Sequence, residues 1–464
     1  MFDANTYSSR RDALLRGLAS RGVREGTLLL LGNRESPMNY PDNCYIFRQD
    51  SSFLYFVGIA QAGLAAAVDL ASGRATLYGD DATIDDIVWT GPLPAVAELA
   101  ARSGMAASRP RAALAEDLAD DLSGKRILYF PPYRADTRAE LAELTLEPYT
   151  AVDSLASLPL IEEAIALREI KSAAEIAELD RAVAITVDMH KAALSTARAG
   201  MLESDVYGRV AEVAYASGGG LAFPVIATTK GATLHTHSHD GRLVDGGLFL
   251  LDAGAEAPSG YAGDLSTSFP ISPRFDERQR AVYELVLRMH HKACSLLKPE
   301  VNFRDVHLAA AREGVLGLKD MGLMKGDADE AVNSGAYAFF FPCGTGHMLG
   351  LDVHDMEDYG EIHVGYDGSA RSGLFGLKSL RLAKALKPGM TFTVEPGIYF
   401  IPELHAMWRA EGRFTQFIDY DAVKPWLDLG GMRNEENWLV TGDGARMLGP
   451  AFDKSVAGIE RMRA

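Results

Sequence analysis

Cysteine is scarce: only Cys44, Cys294 and Cys343 occur in 464 residues. Three widely separated cysteines build neither a disulfide framework nor a zinc-finger spacing, and they suit a reducing compartment. Long apolar runs are missing too, so no segment reads as a membrane span. The N-terminal stretch "MFDANTYSSRRDALLRGLASRG" reads as a polar start and an amphipathic helix, without the apolar core of a signal peptide. A cytoplasmic protein with no membrane partner is the expectation. Positive charge is also short, with 46 Lys and Arg against 63 Asp and Glu, a net charge of −17. Such a surface repels nucleic acid and anionic lipid, which excludes both as partners.

What is present is the composition of an ordinary globular protein, 47% hydrophobic and 23% charged. The length implies two or three domains. The first part alternates strand-like runs, "GTLLLLGN" (26–33), "AAAVDL" with "RATLYGD", and "KRILYF" (125–130), with helical ones, "AVAELAARSG" and "RAALAEDLADDL". That pattern predicts an α/β domain over residues 1–160. A long helical stretch follows, broken at Ser172, where Glu175 three residues on completes a capping-box signature. Residues 161–464 then read as a second, α+β domain, with further helices in "ESDVYGRVAEVAYASG" and "DERQRAVYELVLRMHHKACSLL".

A repeat lies inside that second domain. "DGGLFLLDAG" (245–254) superposes on "PGMTFTVEPG" (388–397), matching Gly246 with Gly389, Phe249 with Phe392, Asp252 with Glu395 and Gly254 with Gly397. Two similar strands that each end on a carboxylate suggest a duplicated unit facing one cleft.

In "LFLLDAGAEAPSGYAGDLSTSFP" (248–270), an apolar run ends on Asp252, and Asp264 follows a Pro/Gly turn. Two carboxylates on one face of a hairpin repel unless a cation lies between them. "FFFPCGTGHMLGLDVHD" (339–355) holds His347 and His354 seven apart among glycines, without the Gly-Lys-Ser/Thr of a phosphate loop. A lone histidine is more often structural than a ligand; two in such a stretch shift that balance. Glu395 ends the strand "TFTVEPGIYF", and Glu435 stands in "GGMRNEENWLVT", where Arg433 is available to pair with a glutamate. Four carboxylates and one imidazole form an oxygen-rich donor set suited to Mn²⁺, Co²⁺ or Zn²⁺. The carboxylate count points to two ions sharing bridging ligands.

The ordered set Asp252, Asp264, His347, Glu395 and Glu435, with "GHMLGLDVHD", "VEPGIYF" and "GGMRNEE", resembles the pita-bread metallopeptidases, in the aminopeptidase P and prolidase (Xaa-Pro dipeptidase) branch. "IFRQDSSFLYFVG" and "DIVWTG" resemble that branch's N-terminal domain. The resemblance implies an α/β N-terminal domain and a pita-bread catalytic domain with pseudo-twofold halves. It implies a di-metal peptidase, with Mn favoured over Co or Zn, that cuts the bond before proline in peptides with proline second. Asp264 and Glu435 would bridge the metals, His347 and Glu395 would complete one, and Asp252 would hold the other. His235, His354 and Glu395 would be catalytic, with Glu395 handling a proton. Arg381, in "GLKSLRLAKALKPGM", would bind a dipeptide's free carboxylate, a role suited to the guanidinium fork; its competing partners are Glu361 and Asp367. Arg433 is a second substrate-binding candidate. His237 and His239 have no counterpart in the pattern and read as loop histidines. Dipeptidase is favoured over an aminopeptidase P acting on longer peptides; a metal-free binding module is the reading from another class. A homodimer or homotetramer is typical of the family, with Trp89 a candidate subunit contact.

Two departures bear on the site. The aspartates stand twelve residues apart, one more than usual, and an extra residue within a strand would turn Asp264 to the opposite face. The "APSG" turn is the place to absorb it. Asn434 precedes adjacent glutamates, and the spacing from Arg433 favours Glu435 over Glu436 as the ligand.

Overall fold

Strands form on the short apolar runs, and the longest helix starts at the expected capping box. The computed structural model describes residues 2–122, 126–236 and 238–464. The chain divides into two units, Met1–Arg168 with Asp358–Gly360, and Glu169–Glu357 with Glu361–Ala464. The reading of the sequence set the boundary at 160/161; the helix Leu158–Arg168 packs on the helix Ala4–Ser20 and so falls within the first unit.

The first unit is a mixed sheet in the order β4-β3-β2-β1-β5, from β1 (Thr27–Leu31), β2 (Ala65–Asp69), β3 (Ala75–Tyr78), β4 (Ala107–Arg109) and β5 (Ile127–Leu128). Helices Val96–Arg102 and Ala113–Leu122 occupy the two expected places. Leu29, Tyr78, Leu114, Leu118, Tyr129 and Leu141 are among the residues of its core. Lys125, read as the start of a strand, lies outside the described residues. The sequence reading missed β4, because "ASR" has no apolar run; it pairs parallel to β3 at the sheet edge.

In the second unit Ser172 caps the helix Ala173–Thr196. Glu175 Oε2 accepts from the Ser172 N–H at 2.9 Å, and Ser172 Oγ accepts from the Glu175 N–H at 3.4 Å. That helix packs on Glu203–Ala216 and backs a sheet in the order β10-β8-β7, from β7 (Ile226–Thr228), β8 (Leu248–Ala253) and β10 (Leu265–Pro270). The short β6 (Gly220–Leu221) and β9 (Ala255–Glu256) pair beside it. A second helix pair, Glu277–Cys294 and Phe303–Asp320, precedes the sheet β11-β14-β15, from β11 (Thr391–Val394), β14 (Glu436–Val440) and β15 (Ala445–Met447). Between β11 and β14 in sequence, β12 (Gly397–Tyr399) pairs with β13 (Gly431–Arg433).

Each half is thus a helix pair followed by a three-stranded antiparallel sheet, and the repeat read from the sequence marks β8 and β11 as counterparts. Gly246 and Gly389 share a left-handed backbone, with φ of 77° and 91°. Phe249 and Phe392 are both fully buried. No helix among the described residues is long and apolar enough to cross a membrane.

Candidate metal centre

Two antiparallel strand pairs, β8/β10 and β11/β14, bring the four carboxylates together. In the β8/β10 pair Asp252 stands opposite Ser266, and Asp264, two residues before Ser266, shares its face. The twelve-residue spacing therefore keeps Asp264 inward. The extra residue is taken up in the turn, where the Ala257 N–H bonds the Tyr261 carbonyl at 2.9 Å and Gly260 adopts φ 90°. In the other half Val394 opposes Glu436, so the next rung of the ladder places Glu395 against Glu435. The halves are stitched at this point. The Glu435 N–H donates to the Ser266 carbonyl at 3.1 Å, and the Asp264 N–H donates to Asn437 Oδ1 at 2.9 Å.

Side-chain alternation separates the two adjacent glutamates. Glu435 faces the cluster, whereas Glu436 forms a buried ion pair with Lys454 at 2.9 Å. His347 enters from the Gly-rich stretch. A Cβ on Gly346 would lie 2.0 Å from the Thr393 carbonyl oxygen, so glycine is what lets this segment run against β11. The His347 carbonyl accepts from the Thr393 N–H at 3.0 Å. Its Nδ1 lies 3.0 Å from the Met348 carbonyl, which can only accept, so Nδ1 carries the proton. Nε2 is then a lone-pair donor, 3.4 Å from Asp264 Oδ2 and 3.7 Å from Glu395 Oε1.

Ligand atoms of Asp264, His347 and Glu435 all lie within 4.8 Å of one another, and all three residues are buried. Asp264 Oδ1 and Glu435 Oε1 are buried with no hydrogen-bond partner. Burial, reinforced by neighbouring carboxylates, pushes the Asp264 and Glu435 carboxyls well above the usual range. Burial raises Glu395 to about 7 against the pull of His347 and Arg433. Such carboxylates are unfavourable as they stand, and a divalent cation relieves both the repulsion and the unmet acceptors. The donor set, oxygen with one imidazole nitrogen, fits such a cation.

Asp252 lies outside that tight group and is held by Arg433. The buried guanidinium donates to Asp252 Oδ2 at 2.5 Å, to Ser266 Oγ at 2.8 Å and to the Tyr399 hydroxyl at 2.8 Å. Its Nε, Nη1 and Nη2 each bond a group of the chain itself, and the residue also lines the adjoining cavity.

The cluster lines a cavity of about 650 Å³ whose apolar wall includes Phe223, Ile226, Leu234, Val353, Phe375 and Ile401. His235, His354 and Arg381 line it as well. His354 lies beside His347, ring centroids 4.0 Å apart and planes tilted by 47°, and its Nδ1 hydrogen-bonds Glu357 Oε2. Arg381 Nε donates to Glu357 Oε1 at 3.0 Å and lies 3.4 Å from Glu361. Partial desolvation, then the Arg433 charge, lowers the His235 pKa. Its loop is tied at both ends by Glu203, which accepts from the Thr229 N–H at 2.6 Å and the Gly241 N–H at 3.1 Å. His239 bonds the Val225 carbonyl at 3.0 Å and stacks edge-on with Tyr207. His237 lies outside the described residues.

Sequence reasoning passed over Glu203, Glu357, Tyr399 and Asn437. None of them lies in a distinctive spacing; each matters through a partner far along the chain or across a loop.

Comparisons with known proteins agree with this geometry. The model of metallopeptidase family M24 matches residues 177–442, and that of the aminopeptidase P N-terminal domain matches residues 7–129. The chain is 29% identical to the Xaa-Pro dipeptidase of Rattus norvegicus, covering 95% of this chain and 90% of the relative. It is 31% identical to a probable Xaa-Pro aminopeptidase of Talaromyces stipitatus, covering 96% and 89%. The solved structure of the Pseudomonas aeruginosa aminopeptidase PepP superposes with a TM-score of 0.81 at 25% identity, covering 100% of this chain and 98% of that one.

Proposed function

This chain belongs to metallopeptidase family M24, and we propose that it hydrolyses the peptide bond before proline in short peptides with proline in second position. The observation that carries the reading is the buried Asp264–His347–Glu435 cluster with its unmet carboxylate oxygens, at the wall of a cavity large enough for a small peptide.

In this reading Asp264, His347 and Glu435, with Glu395 and Asp252 beside them, would hold the divalent ions. The excess of oxygen donors favours Mn²⁺. When bound, the ions polarise the scissile carbonyl and lower the pKa of water. Glu395, at the end of β11 beside His347, takes up and returns a proton at its Oε atoms. His354 is oriented through Nδ1 by Glu357, which leaves Nε2 for the substrate carbonyl. His235 reaches the substrate from the opposite loop. Arg433 acts by holding Asp252 in place. The apolar wall takes the proline ring.

Arg381 at the cavity wall supports a dipeptidase, which needs a cation for the substrate's free carboxylate. The engagement of its Nε by Glu357 supports the second reading, an aminopeptidase acting on longer peptides. Hydrolysis of Ala-Pro compared with Ala-Pro-Ala, with metal content measured on the same sample, separates them. Arg381→Ala should lower dipeptide cleavage much more than tripeptide cleavage; equal loss on both removes the carboxylate role. A protein without stoichiometric metal, and without activity after Mn²⁺ addition, would be a binding module. The scattered cysteines support a cytoplasmic setting. Trp89, 86% exposed on a helix with no buried residue, supports a homo-oligomeric contact in a dimer or tetramer.

A further inference from the structure

His354 and Arg381 are joined by one acid. Glu357 takes His354 Nδ1 on Oε2 and Arg381 Nε on Oε1, the latter at 3.0 Å. Glu361 stands farther from the same nitrogen, at 3.4 Å, and is also paired with Arg371. Glu357 lines a small recess that it shares with His347, His354 and Arg381. The cation facing the substrate is therefore already matched by an internal carboxylate.

We propose that Glu357 is a specificity-determining residue: it occupies the Arg381 guanidinium, so a dipeptide's free carboxylate must compete with it, whereas a longer peptide brings only a neutral amide to the same place. This inference rests on the peptidase reading above. A substrate carboxylate that reaches Arg381 also meets the like charge of Glu357, which raises the barrier to dipeptides specifically. Side chains of Arg381 and Glu357 are 36% and 38% exposed, so water screens the pair. The competition is then worth about fivefold and not orders of magnitude.

Glu357→Gln preserves size and an oxygen for His354 Nδ1 while removing the charge. On the Mn²⁺-loaded full-length protein, kcat/KM is measured for Ala-Pro and Ala-Pro-Ala. Calorimetry gives Kd for L-proline and L-prolinamide, which differ in the carboxylate and hold no bond before proline. The dipeptide-to-tripeptide ratio should rise about fivefold in the variant, mainly through the dipeptide KM. The preference for proline over prolinamide should rise by a similar factor. Structural damage does not produce such a gain, and Arg381→Ala added to Glu357→Gln should abolish it. An unchanged proline-to-prolinamide preference in Glu357→Gln overturns the inference. Wild-type protein that cleaves neither peptide would overturn the peptidase reading instead, with the calorimetric comparison still deciding the role of Glu357.

Discussion

Glu395→Gln should stabilise the protein once metal is removed, although it replaces a central residue of the site. In the unfolded chain this carboxyl loses its proton near its ordinary 4.5; folded, burial holds it to about 7. Between those values the folded state binds more protons than the unfolded one, so stability falls as pH rises. The full cost is present above pH 7. At about 1.4 kcal/mol per pH unit it amounts to about 3 kcal/mol. The side chain is only 20% exposed, so water relieves little of it. Glutamine has nearly the same shape and no charge to bury.

The assay is urea unfolding of both proteins with chelator present, at pH 4.5 and at pH 8. The variant should be more stable by about 3 kcal/mol at pH 8 and within about 0.5 kcal/mol of wild type at pH 4.5. The comparison cancels the titrating groups remote from Glu395. The neutral buried His190, His290 and His307, held at about 3, remain in both proteins. Saturating Mn²⁺ at pH 8 should reverse the order, because only the carboxylate meets a cation. A metal-free wild type at least as stable as the variant at pH 8 would refute the claim that the site holds uncompensated carboxylates.

Two further outcomes follow from the same geometry. Asp264→Ala or Glu435→Ala should lower kcat/KM by about a thousandfold or more, the scale of losing an essential electrostatic element, and reduce bound metal in elemental analysis; normal turnover in either variant sinks the two-metal reading. Arg433→Met leaves Asp252 buried without its cation and the Tyr399 hydroxyl without its donor. It should cost about 3–5 kcal/mol in metal-free unfolding at pH 8.

Much of the fold was legible because its signals are local. Apolar runs marked β1, β2, β3 and β8, and Ser172 with Glu175 marked the start of a long helix through two hydrogen bonds three residues apart. The repeat was legible for the same reason, since Gly246 and Gly389 answer one backbone requirement in two places. The edge strand β4 was not, because its order comes from pairing with β3 and not from its own residues.

The chain by itself determined which residues are the candidates for the chemistry: carboxylates at the ends of apolar strands stand out because burying a charge is costly. Only the tertiary structure decided how they combine. Register turned Asp264 inward despite the added residue, and alternation sent Glu436 to Lys454 and Glu435 to the cluster. Long-range packing gave Arg433 to Asp252 across 181 residues. Across 24 residues, the fold around Arg381 gave it to Glu357. Pairings of this kind depend on distances set by the whole fold, and neither residue type nor spacing encodes them.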